Sequence, residues 1–202
     1  MTIYGYDPTF LIVLICGVIS MFVVSIVYLW KEGTRHKDIL KKQAIKRNAE
    51  LTGGFLSNPK LKLNYYTDKL EIYTFTHKFG STTFLEIVFD PPVNLKMKIY
   101  KESNLAKVGK AIGMMDIQFG YDEFDSEVIV KGNDENYIRN IITFEIQQKI
   151  LFVIKKKNII INLKNDRLRI TIPGLFKDEE TTDELINLSL KLVDKIKGRM
   201  SF

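Results

Sequence analysis

The chain has 202 residues, is 46% apolar and 27% charged, and holds a single cysteine, Cys16. These proportions exclude collagen-like, disulfide-scaffold and wholly disordered classes, and one cysteine excludes an intramolecular disulfide. Net charge is +6 with a pI near 9.2, so an anionic partner is indicated only if the excess spreads over the folded part.

The run from Pro8 to Trp30 has no charged side chain, and residues such as Phe10, Leu14, Val18, Phe22 and Ile26 make it apolar on all sides. In a helix rising ~1.5 Å per residue it crosses a hydrocarbon core of ~30 Å. Tyr4 and Tyr6 precede it and Tyr28 and Trp30 close it, as suits aromatics at the headgroup boundary. No basic residue precedes Asp7, and residues 27–30 lack the small side chains of a cleavage site. The reading is therefore a retained transmembrane helix over 9–30 after a short extracytoplasmic segment, 1–8.

Lys31, Arg35, Lys37, Lys41, Lys42, Lys46 and Arg47 follow, opposed only by Glu32 and Asp38. The positive-inside rule then predicts a single-pass protein of the plasma membrane with its N-terminus outside and its C-terminal domain in the cytoplasm. The same seven side chains are the candidate lipid-facing residues, each worth about 1 kcal/mol near an anionic surface. Residues beyond 47 hold 23 basic and 21 acidic side chains, so the folded part is close to neutral and predicts no nucleic-acid partner.

Residues 34–51 favour helix, with Ile39, Leu40, Ala44, Ile45 and Leu51 as an apolar stripe and Gly53 and Gly54 as a stop, giving a basic juxtamembrane helix over 31–54. The cytosolic domain is 55–202. It opens with strand alternation at 61–65, 70–75, 83–89 and 95–99, turning at Thr67 and Asp68 and again at 79–81, with Pro91 and Pro92 ending the third strand. This predicts a first antiparallel meander. Gly109, Gly113 and Gly120 break up 103–126 into a short helix or loop and an acidic turn. A strand at 127–131 and a helix capped by Asn133 or Asp134, running through Ile138, Ile141 and Ile142 toward Gln148, come next. Strands at 150–154, 158–163 and 167–172 make a second meander, the last two joined through Asn165 and Asp166. A C-terminal amphipathic helix closes the chain, with a capping box at Thr181 and Glu184 and a stripe of Leu185, Ile186, Leu192, Val193 and Ile196. The fold class is α+β.

Few residues point to chemistry. Asp116, Asp122, Glu123, Asp125, Glu127, Asp134 and Glu135 are a dense acidic group, but without the regular spacing of a calcium loop they read as solvated turns and caps. His36 lies in the basic stretch and His77 beside a turn, with no nucleophile elbow to serve. Cys16 is a small apolar residue of the span, and Gly109, Lys110 and Gly113 lack phosphate-loop spacing. The triplet Lys155, Lys156 and Lys157 reads as a hairpin turn between two strands.

Gly120, Tyr121, Asp122, Glu123, Phe124 and Asp125, then Val128, Val130, Lys131 and Gly132, then Asp134, Arg139, Ile141 and Ile142 follow one another in an order that resembles a group of prokaryotic single-pass membrane-anchored proteins. In that group a Gly-Asp-x-x-Phe-Asp element precedes a strand ending Val-Lys/Arg-Gly; here Tyr121 stands where the acidic residue is usual. The resemblance implies a cytosolic domain on a single span, with the Phe124 ring buried and the Asp125 carboxylate capping. It implies no catalytic residue. The combined expectation is a non-enzymatic, membrane-tethered protein-interaction module, an adaptor or complex subunit, with no cofactor, its partners being the lipid bilayer and another protein. An anionic-lipid-binding module is the alternative, and a metal-dependent hydrolase built on the acidic group the third.

Overall fold

The computed structural model describes residues 8–53, 57–78, 80–103 and 114–199; Tyr4, Tyr6, Gly54, Phe79, Gly109, Lys110 and Gly113, singled out above, lie outside them. Helix α1 (Pro8–Arg47) is unbroken for 40 residues and continues through Gly33. Among the described residues it is the one helix long and apolar enough to cross a membrane, and none of its most apolar stretch is buried in the protein. That bareness separates it from a core helix of the same composition.

The helix stops earlier than 51. Asn48 takes a left-handed φ of 51°, the chain turns back, and Glu50–Thr52 becomes strand β1 with Leu51 opposite Leu61. The stripe is corrected too: Ile45 is exposed, and the buried side of α1 carries His36, Ile39, Leu40, Gln43 and Ala44.

Eight further strands complete one sheet: β2 (Lys60–Tyr65), β3 (Asp68–His77), β4 (Gly80–Val88), β5 (Lys96–Lys101), β6 (Met115–Asp116), β7 (Val128–Gly132), β8 (Ile160–Lys164) and β9 (Arg167–Pro173). Their order is β1-β2-β3-β4-β9-β8-β5-β7-β6, antiparallel at every pairing. The first meander thus ends at β4. Its predicted fourth strand, β5, is separated from β4 by two strands, because the β8–β9 hairpin takes the place beside β4, where Arg167 and Arg169 of β9 reach Glu86 of β4 at 2.6 and 3.3 Å. Asn165, with φ 56°, makes that hairpin's turn as its residue type predicts.

Helices α2 (Asp122–Glu127), α3 (Glu135–Ile141), α4 (Phe144–Lys156) and α5 (Glu179–Ile196) complete the chain. The α+β class, the antiparallel sheet and the closing helix are as predicted. The strand at 150–154 is not: Ile150, Leu151, Val153 and Ile154 are buried on α4, which packs on α5. Lys155, Lys156 and Lys157 accordingly end a helix, where cations complement its dipole, and do not form a hairpin turn. The single helix expected toward Gln148 is two, broken at Ile142, with Asp134 capping the first through Tyr137 N–H at 3.0 Å. Asp178, not Thr181, caps α5 by accepting from Thr181 N–H at 2.7 Å.

One face of the sheet carries the apolar core, including Leu61, Ile72, Leu85, Ile170, Ile161 and Ile99. The other is polar: Lys62, Glu71, Glu86, Arg169, Asn162 and Lys98 are successive neighbours across six strands. Gly132 closes β7 for a steric reason, since a Cβ there would lie 1.9 Å from Ile138 Cδ1 of α3.

Candidate functional site: the seam between span and domain

The last third of α1 is amphipathic at helical spacing, and its inner side belongs to the domain core. Leu40 and Gln43 are fully buried, with His36, Ile39 and Ala44 beside them. Burying the aliphatic residues against the sheet supplies the driving force, roughly 1.5–3 kcal/mol for each large side chain.

His36 is the polar centre of this seam. Phe176 N–H donates to its Nδ1 at 3.1 Å, so the neutral ring carries its proton on Nε2, which lies 3.1 Å from Thr74 Oγ1. Thr74 lies 3.1 Å from Thr83 Oγ1, and Thr83 donates to Gly174 O at 2.7 Å. The four donors run in one direction from the 176 amide to the 174 carbonyl, and each buried polar atom on the path has a partner. Burial lowers the His36 pKa to about 4, so the ring is neutral at physiological pH. This residue lies six positions past Trp30, outside the apolar segment, and ties α1, β3, β4 and the loop after β9 together.

Farther along, α1 is bound to α5 by charge. Arg47 Nη2 donates to Asp183 Oδ1 at 2.6 Å and to Asn187 Oδ1 at 2.8 Å, and Nη1 donates to Gln43 Oε1. Lys46 pairs with Asp183 at 2.9 Å and Lys42 with Glu179 at 2.7 Å. Burial works to raise the Asp183 carboxyl, but Lys46 and Arg47 overcome it and hold the group below the usual carboxylate range. Nearer the span, Glu32 pairs with Lys177 at 2.8 Å.

The seven candidate lipid-facing residues therefore divide. Lys42, Lys46 and Arg47 are engaged with α5 and stand about 18–26 Å along the helix from Trp30. Lys31, Arg35, Lys37 and Lys41 are exposed and, among the described residues, have no carboxylate partner. Sequence reasoning placed His36 with the cations because of its neighbours. Its phase with Leu40, Gln43 and Arg47, four, seven and eleven residues on along one side, was the signal that marks it as an inward residue.

The acidic group disperses into local roles. Asp125 accepts from Phe119 N–H and Gly120 N–H at 2.9 and 2.7 Å, closing the loop before α2, while the Phe124 ring is buried edge-on to Phe119. Glu123 pairs with Lys155, Asp116 with Lys131, Glu127 with Lys101 and Glu135 with Arg139. The described residues contain no group of three metal-ligating side chains. A depression of about 630 Å³ lies elsewhere, between Arg47, Glu50, Lys62 and Lys69.

No family model matches the sequence, and no curated protein matches it. Among solved structures the chain is similar to the crystal structure of the mycobacterial trehalose monomycolate transport factor A, with a TM-score of 0.56 and 8% identity over 85% of this chain and 97% of that one. At that identity the likeness is one of fold alone.

Proposed function

We propose that this protein is a non-catalytic, single-pass component of the plasma membrane whose domain, on the cytoplasmic side, binds another protein as an adaptor or complex subunit. The seam carries the reading. A span that continues without a break into a domain core fixes the height and angle of that domain over the bilayer, as a scaffold requires and a tethered soluble enzyme does not. The run of cations after Trp30 supports the cytoplasmic side. The fold neighbour is named for transport, not for a reaction, which agrees with a non-catalytic role. We likewise propose kinship with the prokaryotic membrane-anchored group, in which Phe124, Asp125 and Gly132 act as the structural residues described above.

The test is affinity purification of the full chain in mild detergent at native expression. A near-stoichiometric protein partner is expected, and its yield should fall when the seam is broken by Leu40→Asp. Repeated purification of the protein alone, with turnover of a small substrate, overturns the proposal.

Anionic-lipid binding is a second reading, favoured by the unpaired Lys31 and Arg35 within about 8 Å of Trp30 along the helix. It predicts vesicle binding that weakens with salt, and a salt-independent association excludes it.

A further inference from the structure

The seam fixes which end of the domain faces the bilayer. Successive contacts of Lys42 with Glu179 and of Lys46 and Arg47 with Asp183 make α5 run alongside α1, away from the membrane. The reversal at Asn48 sends β1 back toward it, and the antiparallel registers make β3 run the same way. Thr74 of β3, hydrogen-bonded to His36, is thus level with a point about 9 Å past Trp30. Three more strand residues, at ~3.3 Å each, bring His77 down to the level of Trp30 itself.

Other segments meet at the same end. Thr83 stands opposite Thr74 and Ile172 opposite Thr83, so residues 173–177 lie at the same end, with the Phe176 amide level with His36 and the Lys177 side chain reaching Glu32, two positions past Trp30. The C-terminus of α4 arrives beside it, where Lys157 Nζ donates to Leu175 O at 3.4 Å. This end carries Lys78, Lys155, Lys156, Lys157 and Lys177, joined by Lys31 and Arg35 of α1, against Glu32, Glu123, Asp178 and Glu180; Lys155, Lys156 and Lys177 pair with Glu123, Glu180 and Glu32, and seven cations to four carboxylates leave a net positive charge. Burial and the neighbouring Lys177 charge hold the Lys157 ammonium below its usual range, so an anion close to it relieves an unfavourable field. Phe75, beside the β3–β4 turn, is 62% exposed and stacks on His77. The opposite end is different in kind: Tyr66 is exposed at the β2–β3 turn, and the buried Asp68 carboxylate is already matched by Lys197 and Arg199.

We propose that the end of the domain formed by the last residues of β3, residues 173–177 and the C-terminus of α4 rests on the bilayer that holds α1, its lysines on anionic phospholipid headgroups and Phe75 at headgroup depth. The inference requires only that α1 lie in a bilayer, and it extends the lipid reading from the juxtamembrane helix to three segments of the folded domain. Charge complementarity and the reach of β3 select the membrane surface as the occupant.

The experiment uses the full chain with Cys16→Ala and one introduced cysteine, by Phe75→Cys or Tyr66→Cys, carrying an environment-sensitive fluorophore. Each protein is reconstituted in phosphatidylcholine vesicles with or without phosphatidylglycerol and with lipids spin-labelled at the headgroup. Quenching at position 75 is expected to exceed that at position 66 several-fold, to increase with phosphatidylglycerol, and to fall on adding salt or on Lys78→Glu with Lys157→Glu. Equal quenching at the two positions, or quenching at 75 that ignores lipid charge and salt in the parent protein, overturns the proposal. Failure of the chain to float with vesicles is a distinct result that overturns the span together with it.

Discussion

One helix meets two solvents. Over 9–30, α1 is apolar on every side and exposed throughout, whereas from 36 to 47 it buries a stripe and turns its cations to α5 or to solvent. The first stretch needs lipid because no other apolar phase is within reach, and the second needs the sheet. Continuity of the helix between them makes the seam a rigid coupling, so changes on its two sides should have unequal effects on folding of the domain.

The largest difference is expected from shortening an apolar side chain on each side. Leu40→Ala removes a fully buried side chain and should destabilise the domain by about 3 kcal/mol, read as a shift of the chemical-denaturation midpoint in detergent. Ile19→Ala, on the bare stretch, should leave that midpoint unchanged. Equal shifts would mean that the span packs on protein.

The next effect is a pH dependence seated on the inner stretch alone. The His36 pKa is about 4 when folded and about 6.5 when unfolded, so the unfolded chain binds more protons between those values. The neutral ring's stabilisation is complete above about pH 6.5 and is lost as pH falls toward about 4, for a total of about 3 kcal/mol. Carboxylates held low, Asp183 among them, lose their contribution as pH falls lower still. His36→Gln should be less stable at neutral pH and show a flatter profile between pH 4 and 6.5, whereas an unchanged slope would place the titration elsewhere.

Composition and periodicity made the span, most strands and the closing helix legible. Each error has its own physical cause. Residues 150–154 read as a strand because Ile, Leu, Phe, Val and Ile in succession hide the helical phase of a segment buried at four of its five positions. The place of β5 was illegible because pairing is chosen by cross-strand partners, here Glu86 with Arg167 and Arg169, and not by nearness in the chain. Thr181 had the spacing of a cap, but Asp178 three residues earlier accepts the amide that a cap must satisfy. The seam itself was masked by charge: seven cations drew the reading toward lipid, while a histidine and a glutamine among them were turned inward.

A smaller effect is expected where the inner stretch uses charge. Arg47 is only 10% exposed at its side chain and holds Asp183, Asn187 and Gln43 together. Arg47→Ala leaves the half-buried Asp183 with Lys46 and the Asn187 amide, and should cost about 1–2 kcal/mol, measured by the same denaturation. Arg47→Lys should recover only part of this, since an ammonium cannot serve all three acceptors in their planar arrangement.

The smallest effect sharpens the boundary between buried seam and solvent. Lys42 and Glu179 make a short ion pair, at 2.7 Å, but their side chains are 64% and 48% exposed. In water the attraction is screened and offset by the entropy of holding two long side chains, so Lys42→Ala should leave the denaturation midpoint where it is. Five residues farther along the same helix, Arg47→Ala should move it. Distance to the partner is nearly the same in the two pairs, 2.7 against 2.6 Å, so the contrast shows that closeness alone does not make an ion pair a structural contact, whereas burial and the number of acceptors served do. A shift for Lys42→Ala as large as that for Arg47→Ala would show that α1 and α5 are held by their outer charges, and that the apolar stripe beneath them is not what fastens the domain to its span.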